Sequence, residues 1–200
     1  MPPKVRPFAL ALAVSVLVFA AASLEPYFAG DVNLARVIQA MSPGTEWASA
    51  ITSLATAPTK YIVMAAAVIL AWRLGGWKGA IIAIGAIAIE QFGAEATKLI
   101  AKRPRPSADL IAVVGKPSGF SFPSTFTTFI AVTFGTVWLL ARRSRQNLAP
   151  VVASVTAMVI VLGWGARIVL GAHWPSDVVL TTLVCMTWLW AAVLAVDPRG

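Results

Sequence analysis

The chain has 200 residues, of which 58% are hydrophobic and 12% are charged. That charged share is about half of the ~25% found in soluble globular domains, so disorder and an ordinary soluble globule are excluded, and an integral membrane protein is indicated. The net charge of +8 comes from 16 basic and 8 acidic residues. In a soluble protein this excess would suggest nucleic acid. In a membrane chain it favours interfacial anchoring and an anion site, and we expect no nucleic-acid partner.

Six apolar stretches approach the length of a transmembrane helix, because a hydrocarbon core of ~30 Å needs roughly 20 apolar helical residues. In chain order they are Phe8–Leu24, Thr59–Leu74, Trp77–Ile100, Phe122–Leu140, Pro150–Leu170 and Pro175–Val196. The first could instead be a secretory signal, since Lys4 and Arg6 precede it and small residues follow it. The sequence thus predicts an all-α fold, a polytopic membrane bundle of six transmembrane helices forming a single domain over residues 1–200.

The segment between the first two stretches predicts a short interfacial helix over Asp31–Met41, with Asp31 capping its start. A second helix is expected over Thr45–Ala57, leading into the second stretch, and a plain irregular loop is the alternative. The single cysteine, Cys185, lies in an apolar run and is expected to be a small buried residue.

The orientation in the membrane does not follow from a count of basic residues, because the two faces of a six-span chain would carry equal numbers. Tryptophans flank the Gly75-Gly76 turn and the basic turn at 142–145, as an interfacial belt would. The opposing charges cluster in one region, which is more typical of a binding site than of a topology signal. We therefore expect those two turns and both termini on the cytoplasmic side.

Three charged segments would then lie together on the outer face. The first runs from Lys98 to Pro106 and carries four cations within eight residues, which would repel one another without an anion between them. Anchoring to lipid headgroups is the alternative. Charged residues at membrane depth are costly and are functional candidates by default.

The other two segments each combine a helix start with groups that can bind or attack an anion. Pro123 suits a first helical turn, so Ser124 and Thr125 would present hydroxyls and backbone N–H groups at a positive helix end, although ordinary capping explains them equally. His173, the only histidine, precedes Asp177 by four residues, so the two can meet on one helical face. A carboxylate on one ring nitrogen leaves the other free as a nucleophile or base.

Together these segments resemble the type-2 phosphatidic acid phosphatase (PAP2) superfamily, which also includes the vanadium haloperoxidases. The family signatures are Lys-x6-Arg-Pro, Pro-Ser-Gly-His and Ser-Arg-x5-His-x3-Asp. Here they read, in order, as Lys98 to Arg105-Pro106, as Pro123-Ser124-Thr125-Phe126, and as Ala166-Arg167 with His173 and Asp177. The spacing matches at all three places, and the six-span layout matches as well.

The resemblance implies a role for each matched residue. His173 would attack phosphorus and form a phosphohistidine, and Asp177 would orient it. The phosphate oxygens would be held by a set of cations, hydroxyls and nearby backbone N–H groups, which comprises Lys98, Arg105, Ser124, Thr125 and Arg167. No metal and no cofactor are implied, because the cations take their place. The implied substrate is a lipid phosphate or diphosphate, either an isoprenoid diphosphate or a glycerophospholipid phosphate, cleaved at the periplasmic or extracellular side of a bacterial inner membrane. Because the loops are short, specificity is expected to depend on Lys102, Arg103, Lys116 and the interfacial segment before the second stretch.

One departure from the signatures bears directly on activity. Phe126 occupies the place of the family's second histidine, the general acid, and cannot donate a proton; Ala166 replaces the family serine. Activity is therefore expected to be reduced or abolished. An inactivated variant, an enzyme restricted to diphosphates and a non-catalytic protein that binds or moves phosphate lipids all remain open. Glu95 is interpreted as a partner of Lys98 or Lys102, and Glu90 as a polar contact between helices.

Overall fold

The computed structural model describes residues 5–196, and within that range it is all helical. The seven helices are α1 (Arg6–Leu24), α2 (Asp31–Met41), α3 (Glu46–Ser53), α4 (Thr59–Ala101), α5 (Thr125–Arg143), α6 (Ala149–Val169) and α7 (Pro175–Val196). Five of them, α1 and α4 to α7, are long and apolar enough to cross a membrane. The all-α prediction is confirmed over these residues. Lys4, which supported the alternative of a secretory signal, lies outside them.

Helix α4 has 43 residues but is not one straight rod. Gly76 has φ 63° and ψ −159°, which is outside helical geometry. The Lys60 ammonium lies 3.2 Å from the Glu90 carboxylate although the two are 30 residues apart, a separation that would be ~45 Å along a straight helix. The chain therefore folds back at Gly76 into two antiparallel arms, residues 59–75 and 77–101, and the turn falls between the second and third predicted stretches.

Helix α5 is the centre of the bundle. Two thirds of its apolar window is buried (67%), against 33% in α6 and α7 and 17% in α1, and it packs against α4, α6 and α7. Large apolar side chains on the outer helices, such as Leu17 and Phe92, point outward and are largely exposed. This distribution is typical of a bundle whose surroundings are lipid rather than water.

The short helices α2 and α3 pack against α6, and α2 also touches α7. Helix α2 covers the range predicted for it, and α3 is shorter than the predicted 45–57. The predicted cap is wrong: Gly30, with φ 95°, is the N-cap residue, and Asp31 is the first helical residue. The Asp31 carboxylate instead accepts hydrogen bonds from the backbone N–H groups of Phe28 (2.8 Å) and Ser176 (2.9 Å), which ties α2 to the start of α7.

Candidate active site

The site is built where the loop 102–124 crosses the turn between α6 and α7. Lys102 adopts a left-handed conformation (φ 52°) and ends α4. Two backbone hydrogen bonds then fix the loop: the Val114 N–H donates to the Leu170 carbonyl (3.0 Å), and the Ser121 N–H donates to the Arg103 carbonyl (2.7 Å). As a result, the first and third charged segments of the sequence lie against each other.

Arg105 is held next to His173 by the loop itself. Its Nε donates to the carbonyl oxygens of Ser118 (2.9 Å) and Gly119 (3.1 Å), and its Nη1 donates to that of Ala172 (2.6 Å). The same Nη1 lies 3.2 Å from Nε2 of His173. Burial lowers the pKa of Arg105, and the negative charges of Asp177 and Glu95 oppose that shift. The guanidinium therefore points a fixed positive charge at the imidazole.

His173 is almost completely buried, with 1% of its surface exposed. Burial lowers its pKa to about 4; the carboxylate of Asp177 opposes this shift, and the charges of Arg167 and Arg105 add to it. The imidazole is therefore neutral at pH 7. Its Nδ1 lies 3.8 Å from Oδ2 of Asp177 and has no hydrogen-bond partner among the described residues. A neutral imidazole whose Nδ1 faces a carboxylate can keep the lone pair on Nε2, as a nucleophile requires.

Arg167 comes from the last turn of α6, and its charge reaches His173. Its guanidinium carbon lies 5.5 Å from the centre of the Phe126 ring. Its Nε is buried and meets no acceptor within residues 5–196. A buried N–H group without a partner costs ~1–3 kcal/mol, so this donor is suited to an anion.

Asp177 is fully buried, and both of its oxygens are occupied. Oδ1 accepts a hydrogen bond from Nη1 of Arg103 at 2.6 Å. Oδ2 accepts one from the Trp174 backbone N–H at 2.9 Å and another from the Ser121 hydroxyl. The carboxylate is thus fixed with Oδ2 towards His173. The 3.8 Å between Oδ2 and the His173 Nδ1 exceeds an ordinary hydrogen bond by less than 1 Å.

Arg103 is the residue that sequence reasoning placed wrongly. It was expected to contribute to specificity together with Lys102 and Lys116, but it is 1% exposed and ion-paired with Asp177 and Asp31. Arg103 is one of four cations between positions 98 and 105, and the sequence gives no signal as to which of the four is buried. Lys102 and Lys116 are exposed, so a contribution to specificity stays a prediction for those two.

Ser124 and Thr125 start α5 beside α7. The Ser124 hydroxyl accepts the Thr127 N–H (3.2 Å) as the helix cap, and the Ser124 N–H donates to the Thr181 hydroxyl (3.1 Å). Ser124 is therefore fully engaged in structure. Thr125 is partly buried in the first turn.

Lys98 is buried in the last turn of α4. Its ammonium bonds the exposed Glu95 carboxylate at 3.1 Å, as the spacing predicted. Since the Glu95 charge also reaches Arg105, this end of α4 borders the site.

Phe126 lies in a buried apolar cluster between α5 and its neighbours, with Met64, Phe129, Ile130 and Ile160. The contact with Arg167 places its ring at the border between this core and the cations. Glu90 bonds Lys60 across the hairpin, so it is a polar contact between helices, as interpreted from the sequence. Among residues 5–196, no group of three or more His, Cys, Asp or Glu is placed to hold a metal ion.

The fold and site define an all-helical integral membrane protein that gathers two arginines, one histidine and one aspartate where α6 ends and α7 begins. Comparison with known families gives the class a name. The profile of the PAP2 superfamily matches residues 79–200, and the chain belongs to that superfamily.

The chain is also similar to curated relatives and to a solved structure. Phosphatidylglycerophosphatase B of Escherichia coli (strain K12) is 35% identical over 82 residues, and its counterpart in Shigella flexneri gives the same values. That match covers 39% of this chain and 29% of the relative, so the chain spans less than a third of the length of these proteins. The crystal structure of a transmembrane PAP2-type phosphatidylglycerolphosphate phosphatase from Bacillus subtilis superposes with a TM-score of 0.70. It covers 100% of this chain and 98% of its own, at 17% identity, and so confirms the fold.

Proposed function

We propose that the chain is a membrane lipid phosphatase that hydrolyses a lipid phosphate or diphosphate through a phosphohistidine. The observation that carries the proposal is a neutral, buried His173 with Arg105 at its Nε2 and Asp177 near its Nδ1. Phosphoryl transfer mostly needs positioning and electrostatic stabilisation, and this arrangement supplies both. The family membership and the phosphatases among its relatives agree with it.

In the proposed reaction, a phosphate oxygen takes the place of His173 Nε2 as the partner of Arg105 Nη1. Arg167 Nε receives a second oxygen, and Lys98 and Thr125 complete the binding site. Ser124 would join them where a phosphate oxygen replaces the Thr181 hydroxyl as the partner of its N–H. Nε2 then forms a bond to phosphorus as the phosphorus–oxygen bond to the leaving group breaks, and the leaving oxygen keeps the electron pair. Water subsequently cleaves the phosphorus–nitrogen bond.

Asp177 would stabilise the positive charge that His173 acquires in this step. The gap of 3.8 Å closes to an ordinary hydrogen bond with a shift of about 1 Å. The cations supply the charge stabilisation, and we expect hydrolysis to persist in EDTA.

The leaving group decides how much the absence of a histidine at Phe126 matters. An alkoxide, with a conjugate-acid pKa near that of water (~15.7), must be protonated as it leaves. A phosphate leaving group, whose second pKa is about 6, departs largely unaided. We therefore propose that diphosphates are cleaved faster than monoesters. A protein that binds phosphate lipids without cleaving them is the second candidate, because Phe126 removes the acid while Arg105, Arg167 and His173 are retained.

We also propose six membrane crossings, with each arm of the α4 hairpin crossing once. The arms of 17 and 25 residues extend ~25 and ~37 Å, which brackets the ~30 Å core. Helix α2 would lie at the interface, the site on the periplasmic or extracellular side, and both termini in the cytoplasm of a bacterial cell. Reporter fusions after residues 76 and 145 should report cytoplasm, and a fusion at residue 116 should report the opposite side.

Phosphate release from short-chain lipid mono- and diphosphates tests the proposed activity. We expect release from the diphosphate and its loss in His173→Asn. If neither lipid is cleaved, but both bind and Arg167→Ala abolishes binding, the non-catalytic candidate is correct.

A further inference from the structure

Two buried carboxylates share one buried guanidinium behind His173. Arg103 donates from Nη1 to Asp177 (2.6 Å), and its Nη2 lies 3.4 Å from Oδ2 of Asp31. The side chains of Arg103, Asp177 and Asp31 are 0%, 0% and 4% exposed. The group contains one positive and two negative charges, so it carries a net charge of −1 while it is almost completely buried.

The surrounding contacts hold this group rigidly. Nη1 of Arg103 also bonds the Ser176 hydroxyl (2.9 Å), and that hydroxyl donates to Asp31 (2.6 Å). Nε of Arg103 donates to the Glu25 carbonyl (3.1 Å), and its guanidinium lies 4.5 Å from the centre of the Phe28 ring. The segment that enters α2 is therefore linked through Arg103 to the carboxylate of Asp177, which faces the imidazole.

A simple ion pair between Arg103 and Asp177 would be nearly neutral. It would leave little negative charge to stabilise a positive imidazole. Asp31 changes that balance, because it draws on the same guanidinium and restores one unit of negative charge. Stability alone does not account for such a group, since replacing buried ion pairs by apolar residues is often neutral or stabilising.

We propose that Arg103 and Asp31 are positioning residues for Asp177. Arg103 fixes the carboxylate so that Oδ2 faces His173, and Asp31 keeps the group net negative, so that it stabilises the charge that His173 gains during phosphoryl transfer. The inference rests on the proposed function, in which His173 is the nucleophile.

The charge of His173 can be measured directly, because it is the only histidine in the chain. Selective ¹⁵N-histidine labelling of the full chain in detergent micelles gives one pair of ring nitrogens, and their shifts report the protonation midpoint. The charges that act on His173 are those of Asp177, Arg105 and Arg167, and Arg103 and Asp31 are linked to it through Asp177.

Substitutions of Arg103 and of Asp31 should shift this protonation midpoint in opposite directions. Arg103→Gln removes a positive charge and should strengthen proton binding by His173 about tenfold or more, the size of a nearby-charge effect. Asp31→Asn removes a negative charge and should weaken it. Arg103→Lys keeps the charge and should leave the midpoint close to that of the parent. Arg36→Gln and Asp109→Asn are matched controls, since both residues lie outside the group.

Kinetics supply the second readout. With a short-chain lipid diphosphate, Asp31→Asn should lower kcat several-fold and leave KM unchanged, because Asp31 does not touch phosphate. Arg103→Gln leaves buried carboxylates unpaired and can impair folding. If Arg103→Gln does not fold, the isosteric Asp31→Asn provides the test.

If folded variants give no shift, or shifts of the same sign, the inference is overturned while hydrolysis by the parent leaves the proposed function intact. If the opposite shifts appear but no lipid is cleaved, the electrostatic role stands and the proposed activity fails.

Discussion

Replacing Phe126 by histidine tests whether one side chain separates this chain from monoester hydrolysis. The ring of Phe126 lies at the border of the site, 5.5 Å from the Arg167 guanidinium, and 6% of it is exposed. A histidine there would put a proton donor beside the cations that hold the phosphate. The family signature has a histidine at this place in the motif Pro123 to Phe126.

The expected gain depends on the leaving group. A positioned general acid contributes 10²–10⁴-fold, or about 3–5 kcal/mol of activation free energy. We expect a gain of at least 10² in kcat for a lipid monophosphate and less than about 10-fold for a diphosphate. The variant should also be less stable by ~1.5–3 kcal/mol, because it gives up the burial of an aromatic side chain in the core cluster.

Phosphate release with matched mono- and diphosphate lipids, together with Tm in micelles, measures both effects. Phe129→His is the control, since Phe129 lies in the same cluster with its ring centre 6.5 Å from that of Phe126 but belongs to no signature. It should lose stability similarly and gain no activity. A folded Phe126→His with unchanged monoester hydrolysis would refute the reasoning, as would equal gains from the two variants.

Three further outcomes are expected from the geometry. Arg167→Ala should weaken vanadate or phosphate binding by tenfold or more, whereas Arg142→Ala, in the last turn of α5, should not. Equal effects of the two substitutions would show that Arg167 holds no anion. The pKa of His173 is lowered to about 4 from its ordinary 6.5, so the unfolded chain binds the proton first as pH falls. About 3 kcal/mol of the free energy of unfolding should therefore be lost between pH 6.5 and 4. Denaturation at several pH values measures this loss, and His173→Asn should lack it. Gly76→Ala should cost about 1–3 kcal/mol, since its φ of 63° and ψ of −159° suit glycine almost exclusively, while Gly85→Ala, helical and with open space around a Cβ, should be neutral or stabilising; equal Tm values for the two would contradict a strained turn.

The helices were predictable because their signals are local. Helix α6 begins and ends within one residue of the predicted stretch, since Pro150 marks its first turn and Gly171 follows its end. Helix α5 starts three residues later than predicted because Ser124 caps it. The contacts of Asp31 with Arg103 and Ser176 were missed because those residues lie more than 70 positions away in the sequence. Spacing within a helix reveals nothing about such contacts.

In the candidate site, too, the local contacts were predictable and the long-range contacts were not. His173 and Asp177 are four residues apart, so their proximity followed from local spacing, although His173 lies in the turn before α7 and not on a helical face as predicted. Arg105 reaches His173 only through hydrogen bonds from the loop to the 170–174 turn, which no periodicity encodes. Likewise, the choice of Arg103 over Lys102 as the buried cation depends on the left-handed residue at the end of α4. The sequence signatures identified the participants, and the loop determined which of them meet.

The turn at Gly76 also affects where a protease can cleave the chain. A protease needs a flexible, exposed stretch, and a single non-helical residue between two helical arms offers none. Limited digestion should therefore spare the junction of the arms and cleave first in the non-helical stretch 102–124. The resulting large fragments would each keep intact helices, and both arms of the hairpin would stay in one fragment.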